Sequence, residues 1–412
     1  MPVDTTGRPP TGPVRRAERA LAPDLARGAM LLIIALANSA GVAFAGEPGF
    51  NNAPQGGESA LTFGLFELAH ARGYPVFALM FGYGIVQLAR RQDASGSSPR
   101  QVRALLVRRG AWLTVLGFAH ALLLYYGDFL GAYGIVCIAM TWLLLRRGDR
   151  FHRIVLVIWA LSLVELLVVG GMVVRGLLTG TGHAPLPVGH VGSLAASSYA
   201  DSLADRLAEW PGHTLTTLPF VLIAWLGMWA ARRRILERPG RHRALLVRTA
   251  VVGIGIAVVG GLPAALIGAG WLHADEPTAH MALLLHGGGG MFAGPGYVAV
   301  FGLVAARVTR PGAVVVRALV ALGRRSLSGY LFQSVAWLVL LLPFTLDLAG
   351  QHTSPTAVVL VIALAVWLAT VLIALRLDDR DLPGPAETVL RRLTYGPGAR
   401  RRPRRAAPSA IS

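Results

Sequence analysis

Apolar residues run in long stretches along this chain, and most of the charged residues fall between those stretches. A helix of about 20 apolar residues is long enough to cross a bilayer. The pattern therefore predicts an all-α, polytopic integral membrane protein with about ten transmembrane helices. The predicted helices cover residues 29–45, 69–88, 110–126, 129–145, 154–174, 213–231, 245–270, 280–305, 326–345 and 355–375.

The arginines predict how these helices are oriented. All 39 basic residues are arginine, and 36 of them lie in the two terminal segments and in every second connection between helices. Positively charged residues concentrate on the cytoplasmic side of membrane proteins. Both termini are therefore predicted to be cytoplasmic, and the number of helices to be even. The segments assigned to the cytoplasmic side are 1–28, 89–109, 146–153, 232–248, 306–325 and 376–412.

The composition argues against an ordinary soluble domain. The chain is 54% hydrophobic and 15% charged, whereas soluble domains carry about 25% charged residues. A net charge of +18 in a soluble protein would suggest nucleic-acid binding. Here the arginines flank predicted membrane helices, so the expected partner is the lipid bilayer and no nucleic acid. The single cysteine, Cys137, cannot form an intrachain disulfide.

One transmembrane domain is predicted over residues 23–395. Residues 1–22 are rich in Pro, Thr and Arg and are predicted to be a disordered arm. Residues 396–412 are predicted to be a basic disordered tail, attracted to anionic lipid headgroups at the cytoplasmic face. Residues 175–212 form a long outer loop, whose part from 194 to 210 has the apolar spacing of a helix on the membrane surface.

His120 lies inside the third predicted helix, and Asp128 lies in the turn that follows it. A titratable side chain inside a membrane costs free energy, so it marks a candidate functional site. His120 is a candidate general base, with Asp128 as its orienting partner or the next proton carrier. The structural alternative is that His120 hydrogen-bonds a neighbouring helix and Asp128 caps the helix starting near Phe129.

Glu67, His70 and Arg72 form a second polar group, at the outer end of the second predicted helix. Proline is tolerated in the first turn of a helix, and the proline after Tyr74 favours a helix that starts near Tyr74. His70 and Arg72 would then lie in the preceding loop. Arg72 is a candidate binder of a phosphate or carboxylate from the outer side, and a salt bridge with Glu67 or Asp128 is the alternative.

Polar residues also mark the inner edge of the membrane. Asp24 and Arg27 are three residues apart, so they either pair with each other or leave Arg27 to face an anionic ligand from the cytoplasm. Arg324 marks the inner end of a later helix. A polar stripe enters the membrane there, made of Ser328, Tyr330, Gln333 and Ser334. The stripe either lines a passage from the cytoplasm or hydrogen-bonds between helices.

His286 opens the outer part of the eighth helix and precedes four consecutive glycines, 287–290. Glycine destabilises a helix interior by about 1 kcal/mol relative to alanine, so this run predicts a broken helix beside a cavity or very close packing. Nine of the eleven histidines fall on the outer side, which raises the possibility of a metal, but no local ligand spacing supports one. No metal site is assigned. Glu165, in the middle of the fifth helix, is an argument for a proton-coupled carrier.

Taken together, these motifs resemble the YeiB-like bacterial membrane family, a domain family without an assigned function. The first two matching stretches contain Asp24, Arg27, Gly28 and Asn38, then Arg72, Tyr74, Pro75, Phe77, Phe81, Gly82 and Gly84. The third contains Gly117, His120, Gly127, Asp128, Leu130 and Tyr133, and the fourth Gly323, Arg324, Leu327, Tyr330, Leu331, Gln333 and Ser334. The last contains Gly384, Pro385, Glu387, Arg391, Arg392, Leu393, Thr394 and Tyr395. The departures are Phe129, where isoleucine is usual, and Gly329, where a polar residue is common.

That family is similar in architecture to membrane acyltransferases, which take an acyl group from a cytoplasmic donor and place it on an acceptor across the membrane, using a membrane-embedded histidine. The resemblance therefore implies a multi-pass protein of the bacterial plasma membrane with no bound cofactor and with acyl-CoA as a possible donor. The acceptor would be a small molecule or a cell-envelope component. His120 and Asp128 would be the catalytic pair. The residues that would serve the substrates are Asp24, Arg27, Arg72, His286, Arg324 and Gln333.

Two other functions stay open from the sequence. One is a proton-coupled carrier or exporter of a small metabolite or lipid, in which Glu165 and His120 titrate during transport. The other is a scaffold without turnover. Release of CoA from a labelled donor would favour the transferase, and counterflow of a labelled solute would favour the carrier.

Overall fold

The structure is a computed structural model that describes residues 20–308 and 313–396. Within those residues it consists of α-helices joined by short connections, so the predicted all-α fold is confirmed. The helices are α1 (Leu21–Ala43), α2 (Gly57–Leu68), α3 (Gly73–Ala94), α4 (Pro99–Leu123), α5 (Leu130–Leu143), α6 (Asp149–His152), α7 (Ile154–Thr179), α8 (Gly192–Ala195), α9 (Tyr199–Thr217), α10 (Val221–Arg232), α11 (Arg243–Gly268), α12 (Glu276–Arg307), α13 (Val314–Gly323), α14 (Ser326–Leu340), α15 (Pro355–Asp379) and α16 (Pro385–Tyr395). Two short strands, β1 (Gly46–Glu47) and β2 (Gly189–His190), pair antiparallel.

The predicted disordered arm and tail lie mostly outside the described residues. Of the arm, only 20–22 are described, and α1 already begins at Leu21. Of the tail, only Gly396 is described, directly after α16.

A helix coincides with each of the ten predicted membrane segments. These helices are α1, α3, α4, α5, α7, α10, α11, α12, α14 and α15. In the described residues, six continuous helical stretches are long and apolar enough to cross a membrane by length and composition: Leu21–Ala43, Asp149–Thr179, Tyr199–Arg232, Pro239–Gly268, Glu276–Arg307 and Pro355–Asp379. Among the other predicted spans, α5 and α14 are shorter apolar helices, and α3 and α4 carry arginines near their inner ends. The prediction of a polytopic membrane protein is therefore confirmed.

A break between two helices lies where the sequence placed the start of the second span. Helix α2 ends at Leu68 and α3 begins at Gly73. Between them Ala71 has a φ of 57°, in the left-handed region, which ends one helix and starts the next. His70 and Arg72 therefore lie in a loop, as the proline after Tyr74 predicted.

Helix α4 begins at Pro99, eleven residues before the predicted apolar span. Ser98 explains the early start, because its side chain accepts from the Gln101 backbone N–H while the Gln101 side chain accepts from the Ser98 N–H. This reciprocal arrangement is a capping box. The extra turns carry arginines of the predicted cytoplasmic side, so α4 is longer than its apolar part.

The predicted outer loop contains helix α9, which continues into α10 through a short 3-10 turn at Leu218–Phe220. Helix α9 packs on the outer end of α4, where the Tyr199 hydroxyl donates to the Leu123 carbonyl at 3.0 Å and Arg206 donates to the Leu122 carbonyl at 3.4 Å. The helix predicted within this loop is present, and these contacts place it over the end of α4.

Close helix pairs are built on glycine. A Cβ at Gly82 of α3 would lie 1.8 Å from the Ala224 carbonyl oxygen of α10, and a Cβ at Gly227 of α10 would lie 2.0 Å from the Leu79 carbonyl oxygen of α3. Small residues allow such backbone contact between membrane helices. Gly82 and Gly227 therefore let the backbones of α3 and α10 meet.

Charged residues of the predicted cytoplasmic segments meet one another. Ion pairs join Arg90 to Glu237 and Arg146 to Asp93, each at 2.9 Å, and another joins Arg232 to Asp149 at 2.6 Å. Helix packing thus collects segments that the arginine distribution assigned to one side of the membrane.

Candidate functional site

His120, Asp128 and Ser334 form a hydrogen-bonded chain in the interior of the bundle. His120 Nδ1 lies 2.9 Å from Asp128 Oδ1, and His120 Nε2 lies 2.9 Å from Ser334 Oγ. The three residues are 4%, 0% and 1% exposed, so the chain is shielded from bulk water. We call these three residues the triad. They come from α4, the turn after it and α14.

Local sequence explains how the carboxylate is held. Asp128 accepts from the backbone N–H of Leu130 at 3.1 Å and of Gly131 at 2.6 Å, at the start of α5. The N-terminal N–H groups of a helix have no partner within the helix and attract a carboxylate. Gly117 makes the approach possible, because a Cβ there would lie 2.0 Å from the Gly131 nitrogen and 2.5 Å from Asp128 Oδ2.

This arrangement assigns the protons of the histidine. An ionised carboxylate only accepts, and with Asp128 ionised its Oδ1 accepts from the Leu130 N–H and from His120 as well. Nδ1 of His120 therefore carries a hydrogen, and in the neutral ring Nε2 is the acceptor. The Ser334 hydroxyl lies where it can donate to that nitrogen. The triad thus has the hydroxyl, imidazole and carboxylate order of a general-base assembly.

Other residues of α14 surround the triad. The Tyr330 ring lies 5.0 Å from the His120 ring, and the Tyr330 carbonyl accepts from Ser334 Oγ at 3.2 Å. Gln333 is 1% exposed and donates to the Leu31 carbonyl at 3.4 Å, while its Oε1 has no partner within the described structure. Of the polar stripe predicted from the sequence, Gln333 therefore bonds α1 and Ser334 contacts α4, inside the bundle.

Arg72 and His286 belong to a separate buried group on the outer side, together with Glu67 and His70. His70 Nδ1 lies 2.9 Å from His286 Nε2. Arg72 is 1% exposed and donates to the carbonyls of Ala257 at 2.7 Å, Glu67 at 3.3 Å and His286 at 3.5 Å. We call these four residues the outer cluster. The Arg72 guanidinium faces protein carbonyls rather than open space.

The polar contacts of the outer cluster are incomplete. Glu67 Oε1 lies 3.7 Å from Arg72 Nη2, yet both Glu67 carboxyl oxygens and His286 Nδ1 have no hydrogen-bond partner in the described structure. Gly261 lies against all three side chains, since a Cβ there would meet Arg72 Nη2 at 2.3 Å, Glu67 Oε2 at 2.6 Å and His286 Nδ1 at 3.2 Å.

Asp24, Arg27 and Arg324 meet at the inner edge, as the sequence suggested. Asp24 lies 3.7 Å from Arg27 and 3.4 Å from Arg324, and Arg27 also donates to the Met80 carbonyl at 3.2 Å. The predicted site residues thus divide into the triad, the outer cluster and this inner group, except Gln333, which bonds the Leu31 carbonyl of α1.

Glu387, from the last of the family-like stretches, contacts the start of α14, which carries the fourth stretch. Its Oε1 accepts from the backbone N–H groups of Leu327 at 2.8 Å and Ser328 at 3.2 Å, and its Oε2 accepts from the Ser328 hydroxyl at 2.5 Å. Helix α16 therefore supplies the cap for the first turn of α14. This cap fixes the helix that carries Ser334.

Ser334 is the partner that the sequence did not assign. It was recognised only as a member of a polar stripe, because nothing local shows that it meets a histidine 214 residues earlier. The sequence offered one signal that Ser334 is functional: it lies one helical turn after Tyr330, on the same side of the helix as Gln333.

Two other sequence candidates lie apart from the triad. Glu165 is on the exposed face of α7, away from the packed interior. Over residues 20–308 and 313–396, no group of three or more His, Cys, Asp or Glu side chains is placed to hold a metal.

Comparison with known proteins agrees with the family resemblance. Residues 230–397 match a family described as "Protein of unknown function (DUF418)". That segment contains Ser334 and Glu387, while His120 and Asp128 precede it. The uncharacterized protein YxaH of Bacillus subtilis (strain 168) is 27% identical over 202 residues, which cover 44% of this chain and 48% of the Bacillus protein. The chain thus spans about half the length of the curated relative that it matches. These findings confirm the predicted resemblance.

Proposed function

We propose that this DUF418/YeiB-like family membrane protein is an acyltransferase that moves an acyl group from a cytoplasmic thioester donor, such as acyl-CoA, to a membrane or cell-surface acceptor. The observation that carries the proposal is the buried chain of Asp128, His120 and the Ser334 hydroxyl, with both links at 2.9 Å. A hydroxyl at this distance from a neutral imidazole is within reach of general-base catalysis.

In this mechanism His120 is the catalytic base and Asp128 is a positioning residue. His120 Nε2 takes the proton of the attacking hydroxyl and returns it to the leaving group. Asp128 holds the ring in the tautomer that leaves Nε2 free to accept, and it stabilises the imidazolium that forms. General acid–base catalysis contributes about 10²- to 10⁴-fold to a rate.

Two features support a donor that arrives from the cytoplasmic side. A pocket of about 220 Å³ lies among the predicted cytoplasmic segments and is lined in part by Arg90, Arg146, Arg147 and Arg232, together with Asp93, which pairs with Arg146. Arginine suits the phosphate groups that a nucleotide-based thioester carries. The second feature is Arg324, which lies two residues before α14 on the same predicted cytoplasmic side.

The test uses purified protein in sealed liposomes with labelled acetyl-CoA and varied hydroxyl and amine acceptors. We expect His120→Gln to lower CoA release by about 10²- to 10⁴-fold, since it removes the base. His280→Gln is the matched control, because His280 is an exposed histidine of α12 whose ring Nδ1 bonds the Glu276 carbonyl.

Asp128→Asn should lower kcat and alter its pH profile while KM for the donor changes little, because the residue acts through His120. The proposal fails if folded wild-type protein releases no CoA with any acceptor, or if His120→Gln releases it at the wild-type rate. Counterflow of a labelled solute in the same liposomes would then favour the carrier, for which Glu165→Gln is the first variant to test.

A further inference from the structure

The geometry points to Ser334 as a nucleophile that carries the acyl group as a covalent serine ester between the donor and the acceptor. This inference rests on the proposed transferase function and adds a reaction intermediate to it. Ser334 Oγ occupies the position, 2.9 Å from His120 Nε2, from which a general base removes a proton.

A purely structural role would not require the histidine. Serine in a membrane helix often bonds the carbonyl four residues earlier, and Ser334 does so with Tyr330 at 3.2 Å. In that arrangement the single hydroxyl hydrogen is used within α14, and no histidine is needed. The second contact, to a buried imidazole from α4 whose other nitrogen is held by a carboxylate, is what a nucleophile needs.

The two contacts of Ser334 accommodate both protonation states of His120 without moving a heavy atom. When the ring is neutral, the hydroxyl donates to Nε2. When the ring is an imidazolium, Nε2–H donates to Ser334 Oγ, and the hydroxyl can turn to the Tyr330 carbonyl. Asp128 accepts from Nδ1–H in both states. Proton transfer at this site therefore needs little reorganisation, which favours catalysis.

The loading step is balanced as follows. Ser334 Oγ attacks the thioester carbonyl carbon while its proton moves to His120 Nε2. The carbon–sulfur bond then breaks, and the thiolate takes the proton from His120 to leave as a free thiol. In the second step an acceptor hydroxyl or amine gives its proton to His120 and attacks the serine ester. Ser334 leaves as the alkoxide and regains that proton.

One buried donor of α14 near Ser334 in the sequence has no acceptor among the described residues. Trp337 lies three residues after Ser334, on the same side of α14, and is 1% exposed. Its indole Nε1–H has no acceptor in the described structure. A buried donor without an acceptor costs free energy in the resting protein. The oxyanion of the tetrahedral intermediate formed at Ser334 would be an acceptor for this indole N–H.

A covalent intermediate also suits the depth of the site. All three side chains of the triad are less than 5% exposed, and an acyl-serine requires only one substrate at a time to reach Ser334 Oγ. With an acyl-serine, the donor can leave before the acceptor arrives.

The decisive experiment is isotope exchange in the absence of acceptor. The reconstituted full-length chain is incubated with unlabelled acetyl-CoA and labelled CoA. Exchange of label into acetyl-CoA requires a covalent acyl-enzyme, and direct transfer within a ternary complex gives none. We expect exchange in the wild type and an acetyl group on the peptide that contains Ser334, identified by mass spectrometry.

Ser334→Ala should abolish exchange and labelling, and Ser334→Cys should form a thioester that neutral hydroxylamine cleaves. Ser39→Ala is the matched control, because Ser39 is a fully buried membrane serine whose hydroxyl donates to the Leu36 carbonyl at 3.1 Å. We expect it to exchange as the wild type does. Thermal unfolding in detergent checks that each variant is folded.

The possible failures are distinguishable. CoA release to an acceptor without exchange overturns the acyl-serine and leaves the transferase proposal standing. Exchange that persists in Ser334→Ala also overturns it and shifts the covalent site to another residue such as His120. No CoA release under any condition contradicts the transferase function itself.

Discussion

The triad and the outer cluster are both buried polar groups, but they differ in how their atoms are satisfied. In the triad, both histidine nitrogens, both carboxylate oxygens and the serine hydroxyl have partners. In the outer cluster, Arg72 is bound by three carbonyls, whereas Glu67 and His286 keep polar atoms without a hydrogen bond. Buried polar atoms left unpaired are costly.

Under the proposed function, we interpret the triad as the group arranged for chemistry and the outer cluster as a group that holds helices together. The triad forms a single line of donors and acceptors along which a proton can move. The outer cluster joins the loop before α3 to α11 and α12 through backbone carbonyls, which cannot change protonation. Changes in the triad should therefore affect turnover more than stability, and changes in the outer cluster should do the opposite.

The largest expected effect on stability is that of Arg72→Met. The change leaves Glu67 as a buried carboxylate without its cation, and breaking such a pair costs about 3–5 kcal/mol. Thermal and denaturant unfolding in detergent measure the loss. Arg72→Met combined with Glu67→Leu should recover part of it, because no charge then remains unpaired. A cost below about 1 kcal/mol for the single variant would mean that Arg72 is free to bind substrate, as the sequence suggested.

Gly117→Ala should affect both stability and turnover. Its Cβ would lie 2.0 Å from a backbone nitrogen of α5 and 2.5 Å from Asp128 Oδ2, so α4 and α5 must separate. Overpacking costs about 1–3 kcal/mol, and here it also moves Asp128 away from His120. Gly171→Ala in α7 is the control, because nothing lies within 4 Å of a Cβ there. CoA release and unfolding are measured on the same preparations, and unchanged release in Gly117→Ala would contradict this assignment.

Gly261→Ala tests whether the outer cluster affects stability rather than turnover. The new Cβ would meet the ends of the Arg72 and Glu67 side chains rather than backbone, so these groups can shift. We expect a loss near the lower end of the overpacking range, about 1 kcal/mol, with CoA release unchanged. A turnover loss as large as that of Gly117→Ala would show that the outer cluster takes part in the reaction.

The smallest effect is expected at Asp275, which caps α12 outside the membrane-spanning segments. Hydrogen bonds from the side chain and backbone of Thr278 lower the pKa of the Asp275 carboxyl. A lowered pKa means that the stabilisation is present above the ordinary aspartate range and is lost as the pH falls through the folded-state pKa. Asp275→Asn should therefore unfold slightly earlier than wild type at neutral pH, and the difference should shrink in acid. A difference that grows in acid would contradict the linkage.

Much of the architecture was predictable because apolar length and arginine placement are local properties. The ten apolar segments coincide with helices, and the His120–Asp128 pair was identified from eight residues of separation. Boundaries were less predictable. The apolar pattern placed a helix start at 69, whereas α3 begins at Gly73, after Ala71 with its positive φ. The pattern also began α4 at 110, whereas the Ser98 cap starts it at Pro99.

The sequence by itself determined the class of protein, the candidate histidine and the carboxylate beside it, since each depends on residues close together in the chain. Only the tertiary structure decided that Ser334 is the third member of the triad and that Arg72 is enclosed by carbonyls. Both depend on which helices pack together, and packing is set by close contacts such as that at Gly117. Hydrophobic periodicity fixes which face of a helix is apolar, but it does not specify which distant helix covers that face.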